Sequence, residues 1–263
     1  MRPYAFAAFQ VLRGLSGSAD AARHPLIFER DAGKTVILVI TSDKGLAGSF
    51  NSAVLKKVES FVRERGLTRN DLIFLCLGKR GYEYALARDY EVAHHHINIS
   101  DEIDVEEFQE ITKQVSSLYG EKGVKEVHAA YTNFKSIFEQ RATMRKILPL
   151  SEEIIQNIVE DMAYALRAFP QKDDAGLPRS YTIEPDAGDV ISVLMPRLVN
   201  VAIFHKLLES KASEHSARMV AMKSATDKAR EMAVELTRKF NKARQAAITR
   251  EVSEITSGIE AMK

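Results

Sequence analysis

Gly33-Lys34-Thr35 has the composition of the end of a phosphate-binding loop, in which backbone amides cradle phosphate and a lysine adds charge. The first glycine of such a loop would fall at position 28, which is Phe28, and the strand-like run follows instead of preceding it. The pattern is not that loop. Gly45 and Gly48 lie between a strand-like and a helix-like stretch, where free amides could hold an anion. The full dinucleotide fingerprint is absent, and a plain tight turn accounts for the pair. His94-His95-His96 offers three imidazoles, but adjacent side chains point in different directions and no cysteine lies nearby. This stretch reads as a polar connection beside a sheet edge. His205 and His215 fall on an apolar helical stripe as seam residues, not ligands. No nucleophile–base–acid set assembles, so the residues imply no catalytic group, no metal and no cofactor.

Composition narrows the function further. Against 37 Lys+Arg stand 36 Asp+Glu, a formal charge of +1, which gives no global attraction to nucleic acid or anionic lipid. Cys76 is the single cysteine, so neither an internal disulfide nor a cysteine-built zinc site can form. No apolar run approaches 18 residues, the length that would span a membrane. The 263 residues, 45% hydrophobic, suit one or two domains with a core.

The elements that position these residues follow from periodicity. Thr35 to Ile40 is a continuous β-branched run, as in a strand buried on both faces. The turn formers Thr41 to Gly48 lead to a helix with Val54, Leu55, Val58, Phe61 and Val62 on one face, stopped by Gly66. Asp71 to Leu77 predicts a second buried strand, closed by Gly78 and Gly81. Val105 to Tyr119 predicts an amphipathic helix, and Val124–Phe134 and Thr143–Leu150 predict two more strands. Strand, helix, strand, helix, strand with short connections predicts a small Rossmann-like α/β domain with parallel pairing over 21–168. Residues 169–186, with Pro170, Pro178, Pro185, Gly176 and several acids, read as a linker with a short strand at Tyr181-Thr182-Ile183. Residues 1–20 read as the end of a helix, stopped by Gly14 and Gly17. A targeting peptide is the weaker reading, because Gln10 and Arg13 interrupt its apolar patch.

From 187 to 263 the pattern predicts one long helix. Between Pro196 and Gly258 there are 61 residues without glycine or proline. Spaced alternately by three and four, Leu198, Val201, His205, Leu208, Ala212, His215, Met219, Met222, Thr226, Ala229, Ala233, Leu236, Phe240, Ala243 and Ala247 form a stripe with 12 apolar members among 15. The repeat of 3.5 residues is the coiled-coil period. Near Ile248 the phase slips by one, and Ile248, Val252, Ile255 and Ile259 continue it. The 61 residues span about 90 Å, more than an α/β domain of this size measures, so the helix is expected to project and to need a partner. Residues 1–16 could cover only about 24 Å of it. The partner is absent, another copy, or a different protein. Residues 187–263 hold 13 Lys+Arg against 9 Asp+Glu, a mild excess that favours an acidic neighbour.

Two stretches of this helix carry more than a pattern. Glu209-Ser210-Lys211-Ala212-Ser213-Glu214-His215-Ser216-Ala217-Arg218-Met219-Val220-Ala221-Met222-Lys223 resembles the C-terminal helix of the gamma subunit of F-type ATP synthase, and so does the run from Asn241-Lys242-Ala243-Arg244-Gln245 to Gly258. The loop Thr41-Ser42-Asp43-Lys44-Gly45-Leu46-Ala47-Gly48-Ser49-Phe50-Asn51 is similar to that family's segment after its first strand. The resemblance covers essentially the whole chain in the right order. It implies a central rotor shaft: a long helix paired with an N-terminal helix inside the hexamer of alpha and beta subunits, with the α/β domain against the epsilon subunit and the membrane c-ring. Such a subunit couples proton flow to ATP synthesis or hydrolysis on the beta subunits and has no active site of its own. By match to the family motif, Arg244, Gln245, Thr249 and Glu251 face the beta-subunit catch loops, and Arg218 is a shaft contact. The coiled-coil seam would be Leu198, Val201, Leu208, Met219, Met222, Leu236 and Phe240, and its alanines would allow a thin shaft.

The sequence departs from the family at Ile259, where alanine is usual, and at Ala47 and Ser49, where cysteine and glycine are common. Arg2-Pro3-Tyr4-Ala5 resembles the end of the family's N-terminal helix, so most of that helix is expected to be missing, by a shortened start, truncation or degeneration. The lack of a clear transit peptide suggests a bacterial complex at the cytoplasmic face of the inner membrane, held there peripherally. Two other readings stand beside the rotor: a free-standing α/β phosphate- or nucleotide-binding protein using the Gly45–Gly48 loop with a coiled-coil dimerisation arm, and a generic coiled-coil adaptor.

Overall fold

The computed structural model describes residues 24–101, 104–120, 123–151, 153–154 and 186–262. The expected helix remnant at 1–20, the strand at 181–183 and nearly all of the 169–186 linker lie outside these residues. By compactness the chain divides into two units, Met1–Ala217 and Arg218–Lys263.

In the first unit a five-stranded sheet is built from β1 (Lys34–Ile40), β2 (Leu72–Leu77), β3 (Glu91–His96), β4 (Val124–Phe134) and β5 (Gln140–Leu148), in the order β3-β2-β1-β4-β5. The first four strands are parallel; β5 returns antiparallel on β4. The expectation of parallel pairing therefore holds up to β4. Only a short hairpin joins β4 to β5, and parallel neighbours need a long crossover. β1 and β2 are buried on both faces almost throughout, which is why their sequences are unbroken apolar runs without alternation.

Two helices cover one face: α1 (Phe50–Glu64), through Val54 and Val58, and α2 (Lys79–Ala87), through Tyr84 and Ala85. α1 stops where expected. Gly66 takes φ 63°, its N–H bonds to the Arg63 carbonyl, and the Leu67 N–H reaches back to Val62, the paired hydrogen bonds of a Schellman cap. The other face is covered by α3 (Val105–Gly120), through Phe108, Ile111, Val115 and Leu118, and by the start of α4 (Ala187–Ala261).

Two elements departed from expectation. Gly81 lies inside α2, whose nine residues are too few for a clear period. The three histidines form the end of edge strand β3 and not a connection. Strand alternation sends His95 to stack on Tyr82, with ring centroids 4.0 Å apart, and brings His96 Nε2 to 2.9 Å from Gln114 Oε1 on α3. Half-burial at a sheet edge tolerates such a polar strand.

α4 is one helix with Pro196 in its third turn. By length and composition alone it could cross a membrane; the sheet accounts for its apolarity, since Ile191, Leu194, Met195, Leu198, Val199, Ala202, Ile203 and Leu207 are buried against the core. The compact unit therefore extends to Ala217, beyond the boundary expected at residue 187. Leu198 belongs to this sheet-facing core and not to an open seam, and Val201 is half-buried. A helix lying on a sheet buries a broad stripe of period 3.6, which takes in residues that a 3.5-residue count leaves out. In the second unit, residues 222–262 are exposed on every face.

Candidate partner interface

The Thr41–Asn51 loop follows β1 at the carboxyl end of the sheet, beside the point where strand order reverses and where folds of this kind hold ligands. Its polar groups are turned inward. Asp43 Oδ1 accepts from the Lys79 N–H at 2.9 Å, the Ser42 carbonyl from Arg80 N–H at 3.2 Å, and Thr41 Oγ1 from Gly81 N–H at 2.8 Å. Those are first-turn donors of α2, the groups an anion would need. Asn51 closes the loop from the other side: its Oδ1 accepts from Ser42 N–H at 2.9 Å and its Nδ2 donates to Ser42 Oγ at 2.7 Å. Gly78 opens α2 at φ 99°, where a Cβ would lie 2.1 Å from the Thr41 carbonyl oxygen. The Gly45–Gly48 segment is thus a pinned turn, with Leu46 exposed at φ 63°. On the other side of the strand reversal, Ser213 of α4 donates to the Thr132 carbonyl at 3.3 Å. The three first-turn donors of α2 beside the strand reversal are thus satisfied within the protein. Gly33 precedes β1 at the opposite end of the sheet.

A second polar cluster lies under α1 and was not foreseen from the sequence. Glu126 on β4, 8% exposed, accepts from Arg65 Nη1 at 2.6 Å and from Thr35 Oγ1 at 3.1 Å. His128 Nε2 stands 2.9 Å from its other oxygen, close enough for an ionic contact but without hydrogen-bond alignment. Burial pushes the Glu126 carboxyl up, but His128 and Arg65 outweigh it and bring its pKa down to about 2. The signal is legible: Glu126 and His128 stand at alternate positions of the strand and so share one face of the sheet. This ion cluster ties the end of α1 to the sheet.

The first motif of α4 is equally structural. Asn133 Nδ2 donates to Glu209 Oε2 at 3.0 Å, while Lys211 Nζ donates to the Ile99 carbonyl at 2.8 Å and stands 3.3 Å from Asp101. His215 Nε2 lies 3.2 Å from the second oxygen of Asp101, and His205 Nδ1 is 3.7 Å from Glu209. Both seam histidines therefore have carboxylate neighbours.

The second unit is different. Leu208 in the first unit and Met219, Met222, Leu236 and Phe240 in the second are exposed, Phe240 by 66%. Arg218, at the start of the second unit, is half-buried. Arg244, Gln245, Thr249 and Glu251 are exposed, and no side-chain hydrogen bond or ion pair to another described residue engages them. At about 100° per residue, Arg244 and Glu251 share one side of the helix and Gln245 and Thr249 another, roughly 120° round. Ile248, Val252 and Ile255 fall between the two pairs. The arrangement is an apolar stripe with a polar rim on each side, the make-up of a surface that another protein covers. The sequence match brought these four residues together, and the helix places them as two rims.

The family model for ATP synthase matches residues 1–262. The ATP synthase gamma chain of Staphylococcus saprophyticus is 35% identical over 262 residues, all of this chain and 85% of its own length. The chain belongs to the ATP synthase gamma family. Solved structures agree on the fold: a chain of the Euglena gracilis mitochondrial ATP synthase matches with a TM-score of 0.62 at 16% identity, over 99% of this chain and 87% of its own. A chain of the Tetrahymena thermophila ATP synthase central stalk and c-ring matches at 0.55 and 20% identity, over 86% and 97%. As a gamma-family member the chain is a component of a membrane-associated complex, and the nucleotide-binding reading is not favoured.

Proposed function

We propose that the chain is the central rotor shaft of an F-type ATP synthase, carrying proton-driven rotation from the membrane c-ring to the catalytic sites of the alpha/beta hexamer. The observation that carries the reading is the exposed stripe of α4 between two polar rims, in a chain of the gamma family. Arg244, Gln245, Thr249 and Glu251 meet the beta subunits, Arg218 makes a contact lower on the shaft, and Leu208, Met219, Met222, Leu236 and Phe240 pack against a second helix. One asymmetric shaft touching three chemically identical sites gives each a different affinity at any moment, which is coupling by differential contact. The α/β domain meets the epsilon subunit and the c-ring, so the complex holds the chain at the cytoplasmic side of a bacterial inner membrane.

Co-expression with the alpha, beta and epsilon subunits of the same genome tests this. The expected result is a stoichiometric complex that hydrolyses ATP and, when rebound to vesicles carrying the membrane sector, pumps protons. A chain left out of a complex that a homologous gamma subunit enters under the same conditions would overturn the reading.

A further inference from the structure

We infer that Glu209, Lys211, Ser213 and His215 clamp α4 from both flanks and fix its rotational setting on the α/β domain. The need for such a device follows from the kind of contact that precedes it. From Ile191 to Leu207 the helix is held mainly by apolar burial, which is non-directional, with the buried Lys206 ammonium 5.5 Å from the centre of the Tyr131 ring among its polar contacts. Burial resists lifting the helix off the sheet far more than it resists rolling it about its axis. From residue 209 directed hydrogen bonds and ion pairs to the α/β domain predominate.

The sequence places them in two tiers. Successive residues are about 100° apart around a helix, so in Glu209-Ser210-Lys211 the outer residues sit roughly 200° apart with Ser210 midway. Ser213-Glu214-His215 repeats the arrangement four residues on. The middle residues, Ser210 and Glu214, are buried. Those on one flank reach the end of β4: Asn133 donates to Glu209, and Ser213 donates to the Thr132 carbonyl. The other flank reaches the loop between β3 and α3, where Lys211 bonds the Ile99 carbonyl and Asp101 Oδ1, and His215 meets Asp101 Oδ2. Rolling the helix either way stretches the bonds of one flank. Lys211 is the principal positioning residue, since its ammonium holds a backbone carbonyl and a carboxylate together. These residues are the last stretch of α4 within the first unit, which ends at Ala217. Under the rotor reading, on which the functional half of this inference rests, torque about the helix axis is what the clamp withstands.

Lys211→Met keeps the apolar stem and removes the charge, Asp101→Asn removes the carboxylate charge that Lys211 and His215 share, and Lys211→Arg is the conservative rescue. Amide hydrogen exchange over residues 97–101 and 209–216 of the full chain reads the clamp directly. Expected is a rise of about tenfold in exchange for Lys211→Met and Asp101→Asn, with Lys211→Arg near the wild type. In the assembled complex, protons pumped per ATP hydrolysed should fall for the same two variants while hydrolysis is retained. Unchanged exchange overturns the clamp. Raised exchange with unaltered pumping per ATP overturns its mechanical role. If the wild-type chain fails to assemble, the rotor reading fails instead, and exchange still decides the clamp.

Discussion

The backbone of Gly78 passes so close to Thr41 that a Cβ on residue 78 would lie 2.1 Å from the Thr41 carbonyl oxygen. Both partners are backbone, so no rotamer relieves the clash, and φ 99° is itself unfavourable for any side chain. Gly78→Ala is expected to cost more than about 3 kcal/mol, measured by urea unfolding. Gly45→Ala is the control. Its Cβ would meet only Arg80 Nη2 at 3.5 Å, an ordinary contact, and stability should change by less than about 1 kcal/mol. Equal effects would mean that the loop is not pinned through residue 78.

The Glu126 cluster predicts how the protein responds to acid. Its carboxyl is held at about 2, below its ordinary 4.5, so the folded state binds its proton less readily than the unfolded chain does. The stabilisation is present in full above pH 4.5 and is lost as the pH falls towards 2, amounting to about 3 kcal/mol. Denaturant titrations at intervals from pH 6 to 2 should show wild-type stability falling through this window. Glu126→Gln should begin lower and fall less. A variant with the wild-type slope would place the acid sensitivity elsewhere.

Leu46 is an exposed leucine held at φ 63°, a region that costs a non-glycine residue roughly 1 kcal/mol. Leu46→Gly should therefore leave the isolated chain as stable or raise its stability by up to about 1 kcal/mol, read as a higher urea midpoint at unchanged slope. A loss of stability would show that the side chain is anchored within the loop.

How much of this was open to sequence reading depended on how each element is stabilised. β1, β2, α1 and α3 show their burial as continuous runs or clean periods, and they were placed to within a few residues. β3 escapes sequence reading because an edge strand can carry Glu91 and three histidines and still pair with β2. α2 is too short for a period, and its start depends on side chains 36 to 40 residues away, Asp43 and Thr41. The seam on α4 was counted as one stripe, although the helix meets a sheet in its first part and solvent in its last. Distant pairings such as Lys211 with Ile99 leave no periodic trace, so the clamp became visible only in three dimensions.

The two polar rims of α4 yield the sharpest functional prediction. Arg244 and Gln245 are exposed and bond to no other described side chain, so replacing them removes nothing from the fold. Arg244→Ala and Gln245→Ala should each leave the unfolding midpoint of the chain within about 0.5 kcal/mol of the wild type. In the complex each should lower coupled turnover, by up to tenfold if one contact with a beta subunit worth about 1.4 kcal/mol is lost. Because the two side chains stand on opposite rims of the Ile248–Val252–Ile255 stripe, they meet a partner at different angles of the shaft. The double variant should therefore be close to additive in free energy. Measuring ATP synthesis and hydrolysis for both single variants and the double variant decides the matter. Unchanged turnover in both single variants would remove these residues from the interface, and a double variant no worse than either single one would place them in one contact instead of two.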